Sequence, residues 1–345
     1  MKISIVILNW NGSDHLKRFL PTLIKYTTYE WAEIVVADNG SDDDSCQLIE
    51  TKFPEVKLLK LDRNYGFAEG YNRALEHTNA EYILLLNSDI EVTENWLLPL
   101  VKTMENDTLI GACQPKILAL SNRDQFEYAG ASGGFIDRLG YPFCRGRIIN
   151  AIEQDNGQYN NTISVFWTSG AAMLIRTKLW HTMQGFDADF WAHMEEIDLC
   201  WRMKNSGYQM VVVPDSTVYH LGGGTLAYGN PRKIYLNFRN NLFLLYKNLP
   251  GRLFIPTLLI RMILDGIAAI QFLITGQLSA FTRVLAAHRD FYKNLKKLRL
   301  KRAKLANSVT ITNHPEIYRG SIIFDFFIAK RKKFSDLDFK TPKIK

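Results

Sequence analysis

The sequence predicts an α/β protein built on a doubly wound, mostly parallel sheet, followed by a helical, basic C-terminal extension. Three observations predict it. The first hundred residues repeat a short apolar run, a turn and a helically spaced segment; polar residues follow each run; and charge divides sharply along the chain. The apolar runs are 3–8, 34–37, 56–59 and 82–86, and the helical spacings fall at 14–25, 43–52, 68–77 and 94–105. Near-continuous Val, Ile and Leu runs alternating with helices describe strands buried on both faces.

The middle of the chain, 110–185, reads as β-rich and irregular, with a strand candidate at 163–167 leading through Ser169-Gly170-Ala171-Ala172 into 173–175. A helix is predicted over 194–204, stopped by Asn205-Ser206-Gly207, then a strand over 210–213. Another helix is predicted over 231–247, with Pro231 in its first turn, where a missing N–H is harmless. No internal repeat extends beyond the βα units.

At 345 residues and 47% hydrophobic content, the chain is long enough for one large domain and a smaller appendage, with little disorder. Cys46, Cys113, Cys144 and Cys200 show no CxxC spacing, and no secretory leader pattern opens the chain, which predicts a reducing, cytosolic compartment. Residues 1–225 carry 19 Lys+Arg and 29 Asp+Glu, whereas residues 226–345 carry 23 and 6. An acidic body with a basic tail predicts a tail that meets an anionic surface, either phospholipid or nucleic acid.

The most apolar stretch, 253–282, is interrupted by Arg261 and Asp265, whose four-residue spacing puts both on one helical face. A spanning helix wants about 20 largely uncharged residues. The longest charge-free piece, 266–282, contains Gln271, Thr275, Gln277 and Ser279, so helices lying in the interface are predicted instead of a crossing. Arg289, Lys293, Lys296, Lys297, Arg299, Lys301, Arg302 and Lys304 follow, with Asp290 the only acid among them. A basic cluster beside an apolar segment predicts attachment to an anionic membrane surface, each cation contributing about 1 kcal/mol; a solvated helix packed on the body is the alternative. Without a zinc-finger, homeodomain or RNP signature, no nucleic-acid partner is expected. Residues 330–333 read as a surface extension.

Ligands of doubly wound sheets bind beyond the carboxyl ends of the strands. The residues there are Asn9-Trp10-Asn11, Asp38-Asn39-Gly40, Asp62-Arg63-Asn64 and Asn87-Ser88-Asp89. Any one of these is an ordinary turn, since Asn, Asp and Gly dominate turns; four on one rim predict a polar site. Asp89 is the candidate ligand for a divalent metal, because hard ions take carboxylate oxygens together with substrate phosphates. Asn87 offers only an amide oxygen, suited to ribose or a metal-bound water. Farther on, Asp187, Asp189, Glu195, Glu196 and Asp198 stand among aromatic and apolar neighbours, which desolvate a carboxylate and raise its pKa toward that of a general base. A helix N-terminus favoured by its dipole is the plainer reading of those acids. His220, ahead of Gly222-Gly223-Gly224, is either structural or a metal ligand beside a loop that admits a diphosphate.

In this order the pieces resemble the family 2 glycosyltransferases of GT-A fold, particularly the rhamnosyltransferase-like branch that builds bacterial polysaccharides. The resemblance spans roughly 1–250 and is carried by the runs 5–12 (IVILNWNG), 35–42 (VVADNGSD), 64–72 (NYGFAEGYN), 86–89 (LNSD), 185–191 (GFDADFW) and 195–202 (EEIDLCWR). It implies a nucleotide-diphospho-sugar transferase fold, Rossmann-like, with 1–225 catalytic (1–110 the nucleotide-sugar half, 111–225 the acceptor half) and 226–345 a membrane-associating extension. Asn9 and Asp38 would contact the nucleoside, Asp38 accepting from the pyrimidine ring nitrogen. Asn64, Gly66 and Phe67, with Asn87 and Ser88, would seat nucleotide and sugar. Asn87-Ser88-Asp89 occupies the DxD position with its first Asp replaced, and His220 would complete an Mg²⁺ or Mn²⁺ site with Asp89. Glu196 takes the place of the general base, with Glu195 its rival; Asp198 either organises the helix or binds the acceptor hydroxyl. Trp167, Gly170 and Trp191 would face the acceptor.

The implied reaction moves a sugar, rhamnose by resemblance, from a dTDP- or UDP-sugar to a hydroxyl of a lipid-linked or growing polysaccharide acceptor. One base and no dedicated nucleophile imply inversion. The expected location is the cytoplasmic face of the plasma membrane, peripherally attached. A sugar-nucleotide nucleotidyltransferase should carry a glycine- and arginine-rich loop after the first strand, which Asn9-Trp10-Asn11-Gly12 lacks; a non-catalytic scaffold retaining the fold is the third reading.

Overall fold

The structure, a computed structural model, describes residues 2–76, 78–222 and 230–341. The predicted helix end at His77, the loop residues Gly223, Gly224 and Thr225, and the expected boundary at 225/226 lie outside the described residues.

The predicted βα units form in order: β1 (Ile3–Asn9), α1 (Ser13–Lys25), β2 (Ala32–Asp38), α2 (Ser45–Lys52), β3 (Lys57–Lys60), α3 (Gly66–Ala74) and β4 (Tyr82–Leu86). β1 pairs in parallel with both β2 and β4, and β2 with β3, so the order here is β4-β1-β2-β3. Both faces of β4 are buried: Tyr82, Leu84 and Leu86 join the core under α1 and α4 (Leu97–Asn106), while Ile83 and Leu85 join the opposite core with Tyr71 of α3. Side chains alternate across a strand, so two cores require an unbroken apolar run. In α1 the buried set Leu16, Phe19, Leu20 and Leu23 follows the helical period.

Beyond β4 the sheet becomes mixed. β5 (Ile90–Val92) and β6 (Ile110–Ala119) precede an irregular stretch containing β7 (Asn122–Phe126), β8 (Gly134–Asp137), β9 (Pro142–Cys144), β10 (Arg147–Ile148), β11 (Ala151–Ile152) and β12 (Ile163–Val165). β13 (Ala172–Arg176) inserts antiparallel between β4 and β6. After α5 (Thr177–Thr182) and α6 (Glu195–Asn205), β14 (Gln209–His220) runs parallel to β6. The strand predicted at 210–213 is therefore much longer and carries His220 to the rim beside β5, in the register His220↔Ile90. α6 spans Glu195–Asn205, one residue past the predicted end at 204, with Gly207 at φ +93° in the turn that follows.

The C-terminal extension consists of α7 (Pro231–Asn248), α8 (Gly251–Ile274), α9 (Leu278–Lys293), α10 (Leu295–Ala306), β15 (Ile317–Tyr318) and α11 (Ile322–Phe327). It is knitted into the body: β15 adds in parallel to β8 at the edge of a second sheet, β11-β10-β9-β8-β15. Lys204 of α6 pairs with Glu316 at 3.0 Å, and His314 Nε2 lies 2.8 Å from Asn205 Oδ1.

Candidate active site

Parallel register carries the first polar residues to one level. Asn9 sits opposite Asp38, and its Nδ2 donates to Asp38 Oδ1 at 3.2 Å and to Ser41 Oγ at 3.3 Å. Asp38 Oδ2 accepts from the Ser41 N–H at 3.0 Å. Ser88 lies on the neighbouring rim: a Cβ placed on Gly12 would stand 2.3 Å from Asn9 Oδ1 and 3.7 Å from Ser88 Oγ. Asn39, polar in the sequence but not singled out there, is buried and ties the next turn down. Its Nδ2 donates to the Gly66 carbonyl at 3.0 Å and to Asn64 Oδ1 at 3.3 Å, and its Oδ1 accepts from the Tyr65 N–H at 3.0 Å. Asn64 Oδ1 in turn accepts from the Gly66 N–H at 2.8 Å.

Gly66 joins this turn to the acidic motif. At φ +76° it occupies the left-handed region, and a Cβ there would come within 2.6 Å of the Trp191 indole, so only glycine fits. The Trp191 carbonyl accepts from the Phe67 and Ala68 N–H groups at 2.9 and 3.1 Å, capping α3 from across the cleft. Arg232, at the start of α7, stacks its guanidinium 3.9 Å from the Trp191 ring.

Asp89 and His220 meet as predicted, with His220 Nε2 3.1 Å from Asp89 Oδ1. Glu127 is a partner that no sequence motif marked. Its Oε1 lies 3.3 Å from His220 Nδ1, within ion-pair distance but outside hydrogen-bond geometry. Burial pulls the His220 pKa down, but contacts with Asp89 and Glu127 overcome it and hold it up at about 10. Burial would raise Asp89, yet His220 keeps it below its ordinary value. Among the described residues no three metal-binding side chains converge as a closed cage. A carboxylate oxygen and an imidazole nitrogen at one rim, once His220 has released its proton, nevertheless form a donor pair that suits a divalent ion completed by the substrate.

Glu196 and Glu195 begin α6 after a strained approach: Trp191, His193 and Met194 all have positive φ, at 63°, 69° and 74°. Fully buried Asn240 of α7 holds that segment, its Nδ2 lying 2.9, 2.8 and 2.7 Å from the carbonyls of Phe190, Ala192 and His193. Arg239 adds bonds to the carbonyls of Asp189 and Phe190. The only sequence trace of this clamp is a pair of asparagines inside an otherwise amphipathic helix. Glu196 stands beside the Gly170 turn: a Cβ on Gly170 would lie 3.5 Å from the Phe67 ring and 3.8 Å from Glu196 Cβ. The adjacent Ala171 carbonyl accepts from the Asn87 N–H at 2.9 Å, two residues before Asp89. Burial lifts Glu196 to about 7. Glu195 is more deeply buried and pushed well above its ordinary value, by burial first and then by the Glu196 charge.

Two site expectations and part of a third need correction. Asp198 is wholly buried, with Oδ2 on Arg202 at 2.8 Å and Oδ1 within 2.8 Å of both Lys247 and Asn248; its carboxylate organises the helix and has no face left for an acceptor. Burial would raise its pKa, but Lys247 and Arg202 hold it low. Trp167 is also core, its indole N–H given to the Phe135 carbonyl at 2.9 Å and its ring covering Gly134. In the basic run, Lys297 and Lys301 pair with Asp189, Lys301 also with Asp187, and Arg302 donates to the carbonyls of Tyr246 and Leu249. Lys297 and Lys301 supply countercharge to the acidic motif and Arg302 satisfies carbonyls at the end of α7, so these cations serve the fold.

A parallel half-sheet with a polar rim, tied through the Trp191 segment to an acidic helix start, is the frame of a glycosyltransferase of GT-A fold. The chain belongs to glycosyl transferase family 2, whose match covers residues 4–180. It is 25% identical over 236 residues to N-acetylglucosaminyl-diphospho-decaprenol L-rhamnosyltransferase of Mycobacterium tuberculosis, covering 63% of this chain and 75% of that one. Rhamnosyltransferase WbbL of Escherichia coli is 26% identical, covering 63% and 83%. Among solved structures, S. aureus TarS with UDP-GlcNAc has a TM-score of 0.55 over 89% of this chain and 87% of that one, at 16% identity. A Pyrobaculum calidifontis mannosyltransferase with GDP-Man and Mn²⁺ gives 0.52 over 89% and 84%, at 15% identity. At such identities these structures establish the fold.

Proposed function

We propose that this enzyme transfers a sugar, rhamnose in the first instance, from a dTDP- or UDP-sugar to a hydroxyl of a lipid-linked or growing polysaccharide acceptor, with inversion. Residues 1–225 carry the chemistry in this reading, and 226–345 attach the enzyme to the cytoplasmic face of the membrane. The observation that carries it is the placement of Glu196 beside Gly170 and Phe67, one strand end from Asn87 and Asp89. A base and a leaving-group site can then flank one sugar. Asn9 and Asp38 bind the nucleoside, the turn of Asn64, Gly66 and Phe67 orients the sugar, and Trp191 walls the acceptor side.

Glu196, poised near neutrality, accepts the proton of the acceptor hydroxyl as that oxygen attacks the anomeric carbon. Burial and the neighbouring Glu196 charge push the Glu195 carboxyl well above its ordinary value, which leaves Glu196 as the carboxyl assigned to the base role. Asp89 and His220 would hold a divalent ion, which supplies Lewis-acid stabilisation of the departing nucleoside diphosphate. The rhamnosyltransferase relatives, one named for a diphospho-decaprenol acceptor, support the lipid-linked choice.

A thermal-shift panel of dTDP- and UDP-sugars with and without Mn²⁺ tests the donor, since a ligand bound by the native state raises its stability. The cognate sugar is expected to raise the melting temperature most with the metal present, and Asp89→Ala to lower transfer by about 10²-fold or more. Unimpaired transfer by Asp89→Ala would remove the leaving-group assignment.

A further inference from the structure

Helix α8 is amphipathic in the wrong sense for a helix packed in water. Its most buried stripe, Thr257, Arg261, Asp265 and Ala269, contains both of its central charges. Arg261 Nε donates to Asp265 Oδ1 at 2.9 Å and its guanidinium lies 3.7 Å from the Tyr141 ring, while Asp265 Oδ2 is 3.2 Å from His288 of α9. The outer face presents Ile255, Leu259, Ile263, Ile267, Ile270 and Ile274, all exposed and spaced by three or four residues. A soluble surface helix places these types the other way round. α8 is also the one helix among the described residues long and apolar enough to cross a membrane, with a mean hydropathy of 2.0. Crossing would drag Arg261 and Asp265 into hydrocarbon and strip them from Tyr141 and His288.

A second exposed apolar corner stands on the same foundation. Phe324, Phe327 and Ile328 at the end of α11 are exposed, directly before the exposed cations Lys330 to Lys333. Asp137 anchors both elements: its Oδ2 accepts from the first N–H of α11, at Ile322, at 2.9 Å, and its Oδ1 accepts from the Tyr141 N–H at 2.8 Å, the residue on which Arg261 of α8 rests. The two helices are therefore anchored on one short turn, 137–141. Charge agrees with an anionic occupant. Every acid between 251 and 333 is engaged inside the protein: Asp265 by Arg261, Asp290 by Arg289 and Tyr235, Glu316 by Lys204, and Asp325 by Arg331. Arg252, Arg283, Lys293 and Lys330, from the same helices or next to them in sequence, are exposed.

We propose that the outer face of α8 and the 324–328 corner of α11 form one docking surface that lies flat on an anionic bilayer, with α8 in the plane of the headgroup boundary. Such helices bind through buried apolar area together with attraction to acidic lipid. This inference rests on the reading of 226–345 as the membrane-attaching part and not on the donor or acceptor reading, and its variants leave the proposed catalytic residues untouched. Transfer to a water-soluble acceptor is expected to proceed at the wild-type rate in all of them.

Flotation of the full chain with phosphatidylglycerol/phosphatidylcholine vesicles tests it. The paired variant Ile263→Glu with Ile267→Glu, and separately Phe324→Ser with Phe327→Ser, are each expected to weaken partitioning by about tenfold or more with unchanged melting temperature, since all four positions are exposed. Wild-type flotation of the α11 pair would overturn the joint surface, and of the α8 pair the role of α8. Equal binding to pure phosphatidylcholine vesicles would overturn the anionic preference. Thr275→Cys, in a Cys46→Ser background, is expected to react with an impermeant maleimide added outside sealed vesicles; protection would mean a crossing. A concentration-dependent dimer without lipid, abolished by the Ile263→Glu pair and unaffected by vesicles, would assign the surface to a second copy of the chain instead.

Discussion

Replacing Glu196 with glutamine is expected to abolish most transfer and to stabilise the protein at neutral pH, from a single cause. Burial raises this carboxyl from its ordinary 4.5 to about 7, with backbone N–H groups at the start of α6 opposing only in part. In the unfolded chain it ionises at its ordinary value. Between the two values the native state holds a proton that the unfolded state has lost, so stability falls as pH rises through that window and stays reduced above it. At 1.36 kcal/mol per pH unit, keeping Glu196 ionised above pH 7 costs the native state about 3 kcal/mol. Glutamine has nearly the same shape and never ionises. The variant should therefore unfold like wild type below about pH 4.5 and resist denaturant by about 3 kcal/mol more above pH 7. Loss of the base should cut transfer by about 10²–10⁴-fold. Urea unfolding across that range, beside the pH dependence of wild-type transfer, measures both. A stability gain independent of pH, or a wild-type rate that does not rise as pH passes through 7, would refute the reasoning.

Two further substitutions probe residues outside the sequence motifs. Asn240→Asp keeps the acceptor for Arg239 but removes the N–H donors from the carbonyls of Phe190, Ala192 and His193; about 1–3 kcal/mol of stability should be lost in denaturant unfolding, and kcat should fall more than KM rises because the base is mispositioned. Unchanged kcat would show that the clamp serves stability alone. Glu127→Gln should weaken Mn²⁺ binding by about tenfold in a direct titration, since carboxylates behind a ligating histidine orient its ring, and equal affinity would detach Glu127 from the metal site.

The parallel half of the sheet was legible because its strands are buried on both faces and its rim residues follow them directly in sequence. β4 announces itself as Tyr-Ile-Leu-Leu-Leu, and the parallel register then fixes Asn9 opposite Asp38. The acceptor side was less legible. Trp167 looked like a ligand platform because an aromatic before Ser169-Gly170 marks nothing about which way its ring turns, and long-range packing on Gly134 decided that. Glu127 and Asn240 act through contacts about a hundred residues away or fewer in sequence, 93 for Glu127 and 50 to Phe190 for Asn240, with no local spacing to betray them. Charge counts also misled in part: Lys297, Lys301 and Arg302 were grouped with the membrane-facing cations, yet they neutralise or cap groups in the body.

That last point changes how the extension relates to catalysis. Asp187 sits at the head of the acidic segment; burial would raise it, but Lys247 and Lys301, both from the extension, hold it ionised. Asn240 and Arg239 brace the left-handed backbone that follows, and Arg232 braces Trp191, whose carbonyl caps the helix carrying Phe67. The turn proposed to seat the donor and Glu196, the proposed base, are thus coupled through one loop, and that loop is fastened by α7 and α10. Removing 226–345 would withdraw the countercharges and leave buried carboxylates and carbonyls unpaired, so the proposed membrane attachment is separable from chemistry at the exposed positions of α8 and α11 and not by truncation.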